Sequence, residues 1–197
     1  MFRFTCRRLA GQAFMDLKIG NAAPRRVTFE LFEKKCPIAA ENFLKLCTGE
    51  NVLPMVSSVD GLEDPSFGDQ FLPQLSYRDT HIHRVVRGFC VQGGDIVSAE
   101  GTGQLSVFGD TYDAPEEVRQ SKFDTRGLLG TAVSAPHLNG SQFFILTADK
   151  APHLDGTCIC FGKVAEGMEV IEEIENITPS PTGQPSVRVV VVDCGKL

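Results

Sequence analysis

The chain has 197 residues, 42% hydrophobic and 22% charged, enough for one sizeable core and short for two. Its 25 acids against 19 bases give a formal net charge of −6, and no Lys/Arg-dense patch interleaved with aromatics occurs, which argues against nucleic acid as a partner. The longest aliphatic run, the four valines 189–192, is far too short to span a bilayer, so no membrane span is expected.

The first twelve residues differ in kind from the rest. Arg3, Arg7 and Arg8 alternate with Phe2, Phe4 and Leu9, and no acid precedes Asp16. That composition fits a very short mitochondrial presequence; the plainer alternative is a ragged N-terminal extension. The expected organisation is therefore an extension over 1–12 and one domain over 13–197. The seven cysteines, Cys6, Cys36, Cys47, Cys90, Cys158, Cys160 and Cys194, are odd in number and scattered. They read as reduced thiols in a reducing compartment, so the expected location is cytoplasmic, with mitochondrial as the alternative.

From Ala13 the patterns favour strands. Phe14, Asp16, Lys18 and then Arg26, Thr28, Glu30 alternate with Leu17, Ile19 and Val27, Phe29, Leu31, a hairpin signal. Further strands are expected over 81–86, 89–92, 128–132, 142–147, 158–164 and 187–192, separated by Gly, Pro, Asn and Asp clusters. Two segments read as helices. In 37–48, Pro37 suits a first helical position, Ala40, Phe43, Leu44 and Cys47 recur at helical spacing, and Gly49 supplies the stop. In 166–175, Met168, Ile171 and Ile174 share one side. About eight strands and two helices point to a mainly β fold: a closed eight-stranded antiparallel barrel capped by two α-helices.

Residues 51–82 break the rhythm as an inserted loop. They carry five acids (Asp60, Glu63, Asp64, Asp69, Asp79) against one base, Arg78, yet hold too many apolar groups for a solvated linker, Leu53, Met55, Phe67 and Phe71 among them. An ordered loop docked on the barrel is expected.

Three strand-and-turn patches carry chemistry. They are the block His83-Arg84-Val85-Val86-Arg87-Gly88-Phe89-Cys90-Val91-Gln92-Gly93-Gly94-Asp95, the run Asn139-Gly140-Ser141-Gln142-Phe143-Phe144, and Leu154-Asp155-Gly156 followed by Phe161-Gly162-Lys163-Val164. In this order, with Phe29-Glu30-Leu31-Phe32, Ala40-Glu41-Asn42-Phe43 and Cys47-Thr48-Gly49-Glu50, they resemble the cyclophilin family of peptidyl-prolyl isomerases. The likeness covers nearly all of 13–196 except the long loop.

The resemblance implies that Arg84 is the catalytic arginine, aided by Phe89 and Gln92. It implies a substrate groove of Cys90, Ala132, Val133, Gln142, Phe144, His153, Leu154 and Cys158, acting on proline-containing peptides and proteins with no cofactor or metal. The chain departs from the family at that groove: Cys90 replaces Met, Val133 replaces Asn, His153 replaces Trp and Cys158 replaces His. His153 lacks the indole that commonly bonds cyclosporin, so weakened cyclosporin binding is implied. Cys47 and Cys194 match positions that form a regulatory disulfide in some members with an enlarged loop, which makes them a candidate redox pair.

Other motifs are weaker. His81 and His83 have no third ligand at sensible spacing, so a metal site is not expected. Gly101-Thr102-Gly103 lacks the third glycine and following helix of a dinucleotide loop. Asn139-Gly140-Ser141 and Asn176-Ile177-Thr178 fit the glycosylation sequon, but nothing argues for secretion. Cys158 and Cys160 are expected to face opposite ways and not pair. No feature calls for more than a monomer. The leading reading is an isomerase of X-Pro bonds; the rival is a proline-motif binding module with little or no turnover.

Overall fold

The computed structural model describes residues 11–50, 75–98, 100–133, 135 and 138–197. The Arg-rich start up to residue 10, with Cys6, and residues 51–74 of the expected inserted loop lie outside the described residues.

Strands β1 (Gln12–Ile19) and β2 (Arg25–Leu31) form the expected hairpin, in register from Gln12 opposite Glu30 to Leu17 opposite Arg25. Gln12 is thus part of the first strand and not of the N-terminal extension. Alternate residues Ala13, Met15, Leu17 and Val27, Phe29, Leu31 are buried, as the strand period of two requires. Helix α1 (Pro37–Thr48) begins on its proline and stops at Gly49, whose φ of 71° lets its N–H reach Lys45 O at 2.8 Å.

Six more strands complete the sheet: β3 (Ile82–Val86), β4 (Cys90–Gly93), β5 (Leu128–Thr131), β6 (Phe143–Leu146), β7 (Cys160–Glu166) and β8 (Val189–Lys196). The eight strands are ordered β3-β4-β6-β5-β7-β2-β1-β8, with antiparallel pairing at every ladder. The two edges meet at a narrow seam: His81 bridges Val190, Asp79 N–H donates to Val191 O at 2.8 Å, and Val191 N–H donates to Thr80 O at 3.0 Å. The barrel is nearly closed, and α1 and α3 (Met168–Asn176) pack apolar faces on it.

Among the described residues there are three α-helices, one more than expected. Helix α2 (Pro115–Gln120) has only six residues, too few for an apolar period to show in the sequence. Its Glu117 is buried and accepts the N–H groups of Ile38 and Ala39 at 2.7 and 3.1 Å, so α2 caps the first turn of α1.

One side of the sheet is buried twice over. Along β6, Phe143 and Ile145 enter the barrel core while Phe144 and Leu146 enter a second apolar cluster outside it. Strand β5 is buried throughout for the same reason. Cys158 and Cys160 both join the outer cluster, with Ile159 between them in the core. The expectation that the two thiols face opposite ways therefore fails, because residues two apart in extended chain share a face. Both are free thiols.

The described end of the inserted loop docks as expected. Tyr77 packs on Phe43 and Phe143 with ring centroids 5.3 Å away in each case, and its hydroxyl donates to Ser141 O at 2.6 Å. Ile82 belongs to β3 instead of the loop.

Candidate functional site

The outer cluster is the floor of a surface groove. Cys90, Phe144 and Cys158 are buried there, and Phe89, Ala132, Val133 and Leu154 are half-buried against them. These seven residues come from β4, β6, the hairpin turn before β4, the segment after β5, a 3₁₀ turn (Pro152–Leu154) and the approach to β7. Sequence separations above fifty residues collapse into one apolar surface because β4, β6, β5 and β7 are consecutive neighbours in the sheet.

Phe144 owes its position to a glycine. A Cβ on Gly130 would stand 2.4 Å from Phe144 Cζ and 2.8 Å from Phe123 Cε1, so only glycine lets these rings lie against β5. Phe123 backs Phe144 at a centroid distance of 5.5 Å. Neither Phe123 nor Gly130 was foreseen as a site residue; their roles depend on close approach between segments, which no local pattern records. His153 lies over Phe89 with ring centroids 5.4 Å apart and planes inclined by 31°. An aromatic surface thus persists at the groove rim without an indole. Cys158 is smaller than an imidazole and is itself buried in the outer cluster.

Arg84 stands beside this surface on β3, exposed, opposite Gln92 in the β3–β4 ladder. Its Nη1 donates to Gln92 Oε1 at 3.4 Å, a long contact, and among the described residues no carboxylate pairs with it. Its charge is felt at the groove floor, where it partly offsets the burial that pushes the Cys90 thiol up to about 11.

Behind the arginine runs a chain of amides. Gln92 Nε2 donates to Gln142 Oε1 at 3.0 Å, and Gln142 Nε2 donates to Gly101 O at 3.0 Å and Gly103 O at 2.8 Å. Gln142 thereby uses both of its N–H groups and its oxygen, which fixes its orientation. The Gly101–Gly103 carbonyls are in turn organised by Asp95, whose carboxylate accepts N–H groups from Val97, Ser98, Gly101 and Gly103 and the Ser98 hydroxyl. Burial alone would raise the Asp95 carboxyl, but these bonds hold it well below the usual carboxylate range. Asp95 had only been noted as the end of a motif; the loop it builds is what anchors Gln142.

The remaining expected residues fall elsewhere. Cys47, at the end of α1, and Cys194, on β8, both lie in the barrel core cluster as free buried thiols. Burial raises both, and the charge of Cys194 raises Cys47 further. His81 accepts the Arg188 Nε–H at 2.6 Å, while His83 is buried; among the described residues no three His, Cys, Asp or Glu side chains form a metal-binding cluster. Asn139 of the first sequon is buried and bonded to Thr131 and Tyr112, closed to a glycan; Asn176 is exposed.

A family model described as cyclophilin type peptidyl-prolyl cis-trans isomerase matches residues 14–196. The NK-tumor recognition proteins of Mus musculus and Homo sapiens are each 38% identical to this chain over 186 residues. That alignment takes in 94% of this chain and 12% of each of those much longer proteins.

Proposed function

Because this chain belongs to the cyclophilin-type peptidyl-prolyl cis-trans isomerase family, we propose that it accelerates rotation about X-Pro bonds in peptides and folding proteins. The observation that carries this reading is a guanidinium, Arg84, free of any carboxylate partner among the described residues, at the edge of an apolar surface formed by Phe89, Ala132, Phe144 and Leu154.

The chemistry asks for little more. Amide resonance imposes a barrier of ~18–20 kcal/mol on rotation, and X-Pro bonds cross it in roughly tens of seconds unaided. When the bond twists, resonance is lost and the prolyl nitrogen regains a lone pair. The Arg84 guanidinium donates to that nitrogen, a bond available only in the twisted state. The apolar floor holds the ring while the acyl side turns, and Gln92, steadied by Gln142, holds the peptide backbone and aims the guanidinium.

Turnover of a proline-containing tetrapeptide by wild type and Arg84→Ala tests this, with cis–trans exchange by NMR as a second readout. A loss of ~10²-fold or more is expected when a transition-state donor is removed. No turnover by wild type, with peptide binding retained, would instead make this a proline-motif binding module, a reading favoured by the replaced groove side chains Val133, His153 and Cys158. Cyclosporin is expected to inhibit weakly in the same assay, since His153 offers no indole N–H. Cys47 and Cys194 stay a candidate redox pair, both being free thiols of the same core cluster.

A further inference from the structure

The strand that carries Arg84 is held from outside by the segment that follows it in space, the end of α3 and the loop 178–186. Gly88 N–H donates to Glu175 Oε1 at 2.7 Å, Arg87 Nη2 donates to Asn176 O at 2.6 Å, and Val85 N–H donates to Gly183 O at 2.7 Å. The loop itself is braced. Pro179 bridges Pro185, Ser180 N–H donates to Gln184 O at 2.7 Å, and Gly183 N–H donates to Ser180 O at 2.9 Å. Ser180 Oγ accepts the Gln184 N–H at 3.1 Å and lies 2.8 Å from Thr182 Oγ1. Three prolines, Pro179, Pro181 and Pro185, restrict its backbone further.

This braced turn ends against the catalytic side chain. Gly183 has φ of 88°, and a Cβ placed on it would lie 3.2 Å from Arg84 Cγ and 3.7 Å from Arg84 Nε. The Arg84 stem would have to give by a few tenths of an ångström. The bond that aims its guanidinium, 3.4 Å to Gln92 Oε1, has no such slack. We propose that Gly183 is a positioning residue for Arg84: the missing side chain is the space in which the arginine stem is held at its working angle, between the loop and Gln92. Pre-organisation of this kind matters because a transition-state donor displaced by a fraction of an ångström loses much of its effect.

The inference rests on Arg84 acting as the transition-state donor, and two variants separate its two meanings. Gly183→Ala adds a Cβ and strains the positive φ. Gly183→Asn adds the Cβ while tolerating positive φ better. Both are expected to lower kcat by about tenfold with little change in peptide Kd, and Gly183→Asn to do so while keeping a near wild-type melting temperature. Gly109→Ala, another positive-φ glycine with open space around its Cβ, is expected to leave turnover unchanged. In an Arg84→Ala background, Gly183→Ala is expected to cause no further loss. The Arg84 Nε–Hε resonance is expected to move in both Gly183 variants. Near wild-type turnover in Gly183→Asn, or an equal fold-loss from Gly183→Ala with and without Arg84, would overturn the proposal. If Arg84→Ala itself keeps full activity, the catalytic reading falls, and an Arg84 Nε–Hε resonance unmoved by Gly183→Ala would separately refute the contact.

Discussion

At the scale of single residues, the groove differs from a chemically reactive site in a measurable way. Cys90 and Cys158 form part of its floor and wall, yet burial pushes each thiol up to about 11. A rise of about two units cuts the thiolate fraction at neutral pH by ~10²-fold. The thiolate is the nucleophile, so the shift predicts sluggish alkylation in the folded protein. At pH 7.5, iodoacetamide is expected to label Cys90 and Cys158 at least ~10²-fold more slowly in the native protein than in urea, by peptide mass spectrometry. Equal rates at Cys158 would show that its wall position is open to solvent and not packed. On the proposed reading the groove acts by shape and by one cation, and its two raised thiols are poor nucleophiles at neutral pH. The same burial at Cys47 and Cys194 means that any oxidation there has to begin with an opening of the core.

At the scale of elements, the clearest lesson is α2. Six residues long, it places Glu117 to satisfy two backbone donors at the start of α1, of which that of Ala39 is buried. No side chain of α1's own caps that end, so the cap is supplied across the fold. Burial raises the Glu117 carboxyl above the ordinary Glu value, opposed by the two N–H bonds. A raised folded-state pKa places the stabilising contribution below the unfolded value, and it is withdrawn as pH rises through the folded value. At neutral pH the carboxylate is therefore a good acceptor in an unfavourable setting. Glu117→Ala is expected to cost about 1–2 kcal/mol at pH 7, the range for a lost helix cap, read from urea denaturation. Glu117→Gln keeps an acceptor without the charge and is expected to cost less; a larger loss in Gln than in Ala would contradict this account.

The same element marks the limit of what local sequence shows. The hairpin of β1 and β2, the helix stop at Gly49 and all six later strands follow from period, proline and glycine, with shifts of a residue or two at their ends except for β8, which runs four residues further than expected. The groove residues were legible because a distinctive block, from Arg84 to Gln92, and the Asn139–Phe144 run stand together in a known order. What was not legible depends on contact at a distance: Glu117 capping α1, Gly130 admitting Phe144 and Phe123, and Asp95 ordering the loop that grips Gln142. In each case the residue type is common, and only its partner tells its use.

For the whole molecule, the consequential feature is where the barrel closes. Seven ladders pair neighbouring strands, but among the described residues β3 and β8 form no ladder and are linked through 79–81 by one bridge and the backbone bonds of Asp79 and Val191. Arg78 and Asp193 add an ion pair there, and both side chains are exposed, which limits its contribution to about 0–1 kcal/mol. Arg84 therefore sits on the edge strand of the sheet, next to the least supported line in the fold. This explains why the end of α3 and the loop 178–186 bond to that hairpin at Gly88, Arg87 and Val85. The two arrangements predict different kinds of motion. If the seam opens as a unit, the amides of Asp79 and Val191 will exchange with solvent well before those inside the closed side of the barrel, such as Thr131, whose N–H donates to Ile159 O at 3.0 Å. Native-state hydrogen exchange, corrected for intrinsic rates, is expected to show the seam amides at least about tenfold less protected than Thr131, while the Val85 amide, bonded to Gly183, follows Thr131. Uniform protection across all four would mean the barrel opens only globally. A Val85 amide as labile as the seam would mean that the outer loop does not hold the arginine strand, and the rigidity assigned to the site would have to come from β4 alone.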